Sequence, residues 1–227
     1  MTVSPLEMLE RAVVLLKPLK RRFVFLGGAT VALHLDDPSG PGIRVTKDVD
    51  CVVEIANYPA LSKLEEALRE AGFEQRMDME GPICRWSYDE LIFDIMPTKG
   101  ELQGLSNRWF REAFANAEER QLPSGETILV VDLIHLLATK IEAFRDRGDG
   151  DLLLSHDFED IVMLLDGSSR LFTELHGESK VHGFVQTWFR DQLEDEDFIE
   201  MVVGHLPGGG FARAEVLLER LSEVVKP

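Results

Sequence analysis

Arg44-Val45-Thr46-Lys47-Asp48-Val49-Asp50-Cys51-Val52-Val53-Glu54-Ile55 is the stretch on which the fold turns. Residues 49–55 are dense in β-branched side chains and read as a buried strand. Asp48 and Asp50 stand two apart at its start, and side chains at i and i+2 leave a strand on the same face. Two carboxylates therefore project together toward one place. Arg44, Thr46 and Lys47 precede them, positioned to steer phosphates or to pair with the acids.

Outward from this stretch, a third acid stands out. Asp94 lies inside the apolar run Leu91-Ile92-Phe93-Asp94-Ile95-Met96. A carboxylate among apolar neighbours is costly unless it is paired, hydrogen-bonded or metal-bound. If that strand lies beside residues 49–55, three carboxylates converge, and a divalent cation relieves their repulsion. Oxygen-only ligands favour Mg²⁺, which also binds substrate phosphates. Two such ions, with Mn²⁺ as a substitute, hold the attacking and leaving oxygens of a phosphoryl displacement. The plainer alternative pairs Asp94 with Arg85 across a hairpin.

Upstream, Phe23–Leu26 is a short apolar strand that meets Gly27-Gly28, and residues 29–35 read as a helix. Such a corner lets the backbone approach a phosphate, with free N–H groups at the helix start and the Thr30 hydroxyl as a further donor. No Gly-Lys-Ser/Thr follows and three spaced glycines are absent, so this is neither a Walker loop nor a dinucleotide fingerprint. The plainer alternative is a tight turn without a ligand.

The remaining pattern places helices over 6–20, with Pro18 near the end, over 58–71, and from 108. Strands fall at 83–88 and 91–96, joined by Asp89-Glu90, and at 119–122 and 127–131. Residues 36–42 read as a loop. From Asp132 the pattern turns helical: 132–145, 158–165, 171–175, 181–193, 198–203 and 212–225, with glycine breaks at 148–150 and 208–210. The expectation is an α+β fold: a mixed sheet with flanking helices over 1–131, then a helical half over 132–227 that packs on it and closes the cleft.

Net charge is −17, from 41 acidic and 24 basic residues, which argues against a general DNA-coating protein. Two cysteines, Cys51 and Cys84, cannot form a disulfide framework. The apolar runs are too short to span a membrane and there is no signal peptide, so a cytoplasmic protein without membrane partners is expected.

Taken in order, the glycine corner, Arg44-x-Thr46-x-Asp48-x-Asp50, Asp94, Leu137-x-x-Lys140-x-x-Ala143 and His156-Asp157-Phe158-Glu159-Asp160-Ile161 resemble nucleotidyltransferases of the AbiEii/AbiGii toxin type. That type belongs to the polymerase-β superfamily, and the resemblance covers residues 20–165. It implies a polymerase-β-like mixed sheet and transfer of an NMP group from an NTP to an acceptor hydroxyl. The acceptor would be tRNA, a protein or a small molecule, and an antitoxin protein would be a partner. Asp48, Asp50 and Asp94 would be the metal-binding, catalytic acids. Gly27, Gly28, Thr30, Arg44, Thr46, Lys140 and Asp157 would bind the NTP, with Lys140 reaching into the cleft. Ala29 stands where the family often has Ser or Thr, and His156 where Arg is usual.

Lys140 has a plainer reading as a lysine whose stem lies along the core. Asp157, Glu159 and Asp160 have one as acids at a helix N-terminus. The Lys17/Lys20/Arg21/Arg22 cluster reads as a solvated helix end. Two other classes compete with the enzyme: a non-catalytic nucleotide-binding module, and a partner-binding scaffold that uses the acidic segment 191–200.

Overall fold

The computed structural model describes residues 4–38, 43–76, 83–105, 107–147 and 151–226. The expected break at 148–150 and part of the expected loop at 36–42 lie outside them. Two compact units emerge: residues 1–30 with 45–132, and residues 31–44 with 133–227.

The first unit is built on a sheet. Helix α1 (Pro5–Leu16) starts at Ser4, whose hydroxyl accepts from the Glu7 N–H while the Glu7 carboxylate accepts from the Ser4 N–H. This reciprocal cap satisfies two donors that a helix start leaves open. The helix stops earlier than the apolar spacing suggests. Pro18 has no N–H to continue the ladder, so residues 17–19 form a 3₁₀ turn that ends on Lys20 at φ +50°. Strands β1 (Phe23–Leu26), β2 (Asp48–Val53), β3 (Glu74–Gln75), β4 (Arg85–Tyr88), β5 (Leu91–Pro97), β6 (Glu118–Gln121) and β7 (Thr127–Val130) form one sheet in the order β3-β4-β5-β2-β1-β7-β6.

The sheet is mixed. β2 runs parallel to β5 and antiparallel to β1, which is itself parallel to β7. β4 pairs antiparallel with β5 through a two-residue turn in which Asp89 takes φ +50°. Asp tolerates that left-handed conformation better than most residues, which explains a hairpin without glycine. Helix α2 (Tyr58–Glu70) is capped by the Asn57 side chain and ended by Gly72 at φ +93°, where the Gly72 and Phe73 N–H groups bond back to Arg69 and Leu68. Helix α3 (Phe110–Ala115) and α1 both pack on β2.

Two elements of this unit carry no periodic signal, β3 and the 3₁₀ turn at Gly100–Gln103. They are two and four residues long, too short for a pattern to register. The segment expected as a helix over 29–35 is a helix of 3₁₀ type over Gly28–His34. Its first turn is tightened because both the N–H and the hydroxyl of Thr30 bond to the Gly27 carbonyl, at 3.2 and 2.9 Å.

The second unit is helical: α4 (Leu133–Asp146), α5 (His156–Gly167), α6 (Leu171–Glu174), α7 (Lys180–Leu193), α8 (Phe198–His205) and α9 (Phe211–Val224). Helix α4 packs against α5, α6 and α7, and α8 against α5 and α9. Its centre is aromatic, with Phe158 meeting Trp188, Phe198 and the His205 ring. The excursion 31–44 joins this unit through polar ties. The Asp36 N–H donates to the Gly167 carbonyl at 2.9 Å, the Asp36 carboxylate accepts from Ser169, and Arg170 donates to His34 Nδ1 at 2.8 Å. Among the described residues, no helix is long and apolar enough to cross a membrane.

Candidate functional site

The register of β2 and β5 decides what the acids can do together. Asp50 stands opposite Asp94, and Asp48 opposite Ile92. Paired residues of neighbouring strands share a face, and so do residues two apart on one strand. Asp48, Asp50 and Asp94 therefore form a row on one face of the sheet. The other face of β2 carries Val49, Cys51 and Val53, which are wholly buried in the core. At its start this strand thus has an acidic face and an apolar face, separated only by the pleat, and Val52 continues the first face as buried apolar surface.

Gly27 closes one end of the row. Leu26 pairs with Asp50, and Gly27 follows it at φ +75°. A Cβ at Gly27 would fall 1.9 Å from Asp50 Oδ2 and 2.7 Å from its Cγ. The Asp50 carboxylate thus occupies the space that any side chain at residue 27 would need. Glycine is required there by both its backbone angle and this contact.

Arg85 lies along the row from the opposite strand of the β4–β5 hairpin, where it pairs with Asp94. Its Nε donates to Asp94 Oδ1 at 2.9 Å, and its Nη2 donates to Asp94 Oδ2 at 2.8 Å and to Asp48 Oδ2 at 3.1 Å. Its bonds to Asp94 raise the guanidinium pKa against the opposing effect of burial, and the charges of Asp94 and Asp48 add to that. The Thr46 hydroxyl donates to Asp48 Oδ1 at 3.1 Å, so Asp48 is oriented from both sides. Among the described residues, no three His, Cys, Asp or Glu side chains are grouped so as to hold a metal ion. A cationic side chain instead joins two carboxylates of the row.

Beside the acids lie two buried thiols. Burial pushes the Cys84 thiol up to about 12, and the nearby Asp94 and Asp50 charges act in the same direction. Burial also raises Cys51 well above the ordinary thiol range, with Asp50 contributing. Neither is a ready nucleophile.

The other candidate residues fall in the helical unit, in a second charged cluster. Lys140 is 8% exposed, on the buried side of α4. Its Nζ lies 3.2 Å from Asp157 Oδ1 and 2.6 Å from Asp160 Oδ2. Arg147 reaches Asp157 Oδ2 at 2.7 Å. Arg44 donates to both oxygens of Asp160, at 3.2 and 3.1 Å, and lies 3.6 Å from Glu159. Burial pushes Asp160 up, but the Lys140 charge and the Arg44 hydrogen bonds and charge outweigh it and hold Asp160 below the usual carboxylate range. Asp157 and Asp160, only 2% and 1% exposed, are thus buried acids neutralised by three cations.

Sequence order alone does not single out Asp160 as the hub of this cluster. The available signal was its i,i+3 spacing from Asp157 on a helix whose neighbours Phe158 and Ile161 are apolar. Thr30 is fully buried with its hydroxyl bonded inside the turn, and Gly28 begins that turn.

The fold and the acidic row together define an α+β protein whose central mixed sheet presents carboxylates from adjacent parallel strands. No family model matches the sequence, and no curated protein matches it. Among solved structures, the chain is similar to the crystal structure of an antigenic nucleotidyltransferase-like protein from Paracoccidioides brasiliensis. The TM-score is 0.53 over 88% of this chain and 92% of that one, at 16% identity. At that identity the likeness is one of fold. The two chains share an architecture, and the likeness does not reach the AbiEii/AbiGii type.

Proposed function

We propose that this chain is a divalent-metal-dependent nucleotidyltransferase that moves an NMP group from an NTP to an acceptor hydroxyl. The observation that carries the reading is the register pairing of Asp50 with Asp94, with Asp48 on the same face and Gly27 pressed against Asp50. The fold likeness agrees with it. The narrower AbiEii/AbiGii reading, with a role as a toxin neutralised by an antitoxin, rests on the order of sequence motifs.

The row suits Mg²⁺ by donor type; its three carboxylates are not grouped around one ion here, and metal binding would gather them. All its ligand atoms are carboxylate oxygens, and it already holds a cation, the Arg85 guanidinium. Asp48, Asp50 and Asp94 would hold the metal, which when bound neutralises the triphosphate and stabilises charge that builds up on the transferred group. The acceptor oxygen forms a bond to the α-phosphorus as the bond to pyrophosphate breaks, and a carboxylate of the row takes the hydroxyl proton. Thr46 holds Asp48 in orientation through its hydrogen bond. The absence of a side chain at Gly27 keeps Asp50 in the row.

Labelled NTPs incubated with the protein, Mg²⁺ and cell RNA or lysate test this reading. Label transfer and pyrophosphate release are expected, and Asp48→Ala and Asp50→Ala abolish both while leaving the fold intact. Normal turnover in both variants removes the proposal. A second reading, a nucleotide-binding protein without catalysis, draws on Arg85 already engaging two of the three carboxylates. Mg²⁺-dependent NTP binding without pyrophosphate release would favour it.

A further inference from the structure

Arg85 is not used by the proposed chemistry, yet it makes three hydrogen bonds to two of the three acids. We propose that Arg85 is a resident counter-cation that a divalent ion must displace, and that it sets the metal affinity of the carboxylate row. This inference rests on the row being the metal site.

Three observations support it. First, the position is built in: the β4–β5 register places Arg85 opposite Asp94, on the face of the row. Second, the guanidinium fork spans both Asp94 oxygens and one Asp48 oxygen, which are atoms that a cation bound by these residues would need. Third, its side chain remains 26% exposed, against 10% for Asp94, so it is anchored from the solvent side and can leave without unpacking the core. Three like charges on adjacent strands repel when nothing lies between them. Arg85 removes that repulsion in the metal-free protein, so the row stays assembled before any metal arrives. The same contact makes metal binding a competition between two cations for one set of oxygens.

A buried structural ion pair would look similar in a static picture but behaves differently on metal addition. If Arg85 only stabilises the fold, replacing it weakens the protein and leaves metal affinity unchanged or lower. If it competes, replacing it strengthens metal binding while the metal-free protein becomes less stable. Opposite signs in the two measurements are the signature of a displaced counter-ion.

The experiment titrates Mn²⁺ into the full chain without nucleotide, read by electron paramagnetic resonance of free Mn²⁺ and by thermal melting with and without the ion. Wild type is compared with Arg85→Met and Arg85→Lys. Removing a unit charge a few ångström from the site raises Mn²⁺ affinity at least about tenfold in Arg85→Met. That variant also melts lower than wild type without Mn²⁺ and gains more from Mn²⁺. Arg85→Lys keeps a charge but loses the fork and falls between the two, so it carries the test should Arg85→Met fail to fold. Equal or weaker Mn²⁺ binding in a folded Arg85 variant, with binding seen in wild type, overturns the role of Arg85 alone. No Mn²⁺ binding in any of the three proteins overturns the metal site itself. Adding Asp48→Asn to Arg85→Met cancels the gain if the tighter site is this row, and a gain that persists overturns the inference.

Discussion

Gly27→Ala tests the link between the glycine corner and the acidic row. The substitution acts twice. At φ +75° an L-residue sits in the left-handed region, which costs about 1–2 kcal/mol. The new Cβ would also lie 1.9 Å from Asp50 Oδ2 and within 2.9 Å of the Asp50 Cβ. Real contacts of that kind do not occur, so Asp50 must rotate out of the row or β1 must shift from β2. Forced displacement of a packed side chain costs about 1–3 kcal/mol more. The total is about 2–5 kcal/mol. Gly125→Ala is the internal control. Gly125 also has positive φ, +88°, in the β6–β7 turn, but nothing lies within 4 Å of its would-be Cβ. It therefore carries only the backbone cost. Urea unfolding followed by tryptophan fluorescence, with Trp86 and Trp109 reporting on the sheet unit, should give a lower midpoint for Gly27→Ala than for Gly125→Ala, by about 1 M. Mn²⁺ binding should fall in the first variant alone. Equal midpoints and equal Mn²⁺ affinities for the two variants would refute the claim that Asp50 fills the space beside Gly27.

The helical unit and the thiols yield further expectations. Lys140→Met leaves Asp157 and Asp160 buried with fewer counter-charges and should cost up to about 3–5 kcal/mol, seen as a lower melting temperature. Adding Asp157→Asn should recover part of that loss, and additive losses would argue against the cluster. Because the folded pKa of Asp160 is depressed, its ionised form adds stability above the unfolded pKa of about 3.9. That contribution disappears as pH falls through the lower folded value, so Asp160→Asn should flatten the acid limb of the stability profile below about pH 4. Parallel acid limbs in variant and wild type would count against it. Cys51 and Cys84 are raised and buried, so iodoacetamide at pH 8 should leave both unmodified in the folded protein and label both in urea, as mass spectrometry would show. Labelling of the folded protein would refute this. Above the unfolded thiol pKa the same shift costs stability progressively, as pH rises toward 12 for Cys84.

Much of the fold was legible because its signals are local. The apolar runs at residues 23–26 and 91–96 and the β-branched run after Asp50 each encode a strand in a few consecutive side chains. The helices after Asp132 announce themselves by period, and Pro18 marks a helix end by its own chemistry. The spacing of Asp48 and Asp50 dictates a shared face wherever the strand goes, since alternation is a property of the extended chain itself.

Tertiary structure alone decided which distant strands became neighbours, and with that which of their charges met. That Asp94 stands opposite Asp50 depends on β5 pairing in parallel with β2, a pairing of residues 44 positions apart that no local pattern specifies. Packing likewise placed Asp50 against Gly27, extended Arg85 beyond Asp94, the hairpin partner the sequence already offered, to Asp48, and placed Lys140 between Asp157 and Asp160. The residues 31–44 were drawn to the helical unit by Asp36, His34 and Arg44, whose partners lie more than 100 positions away. Side-chain periodicity is fixed by backbone geometry within a few residues. Charge pairing is fixed by distance in space, which the chain acquires only when its core closes.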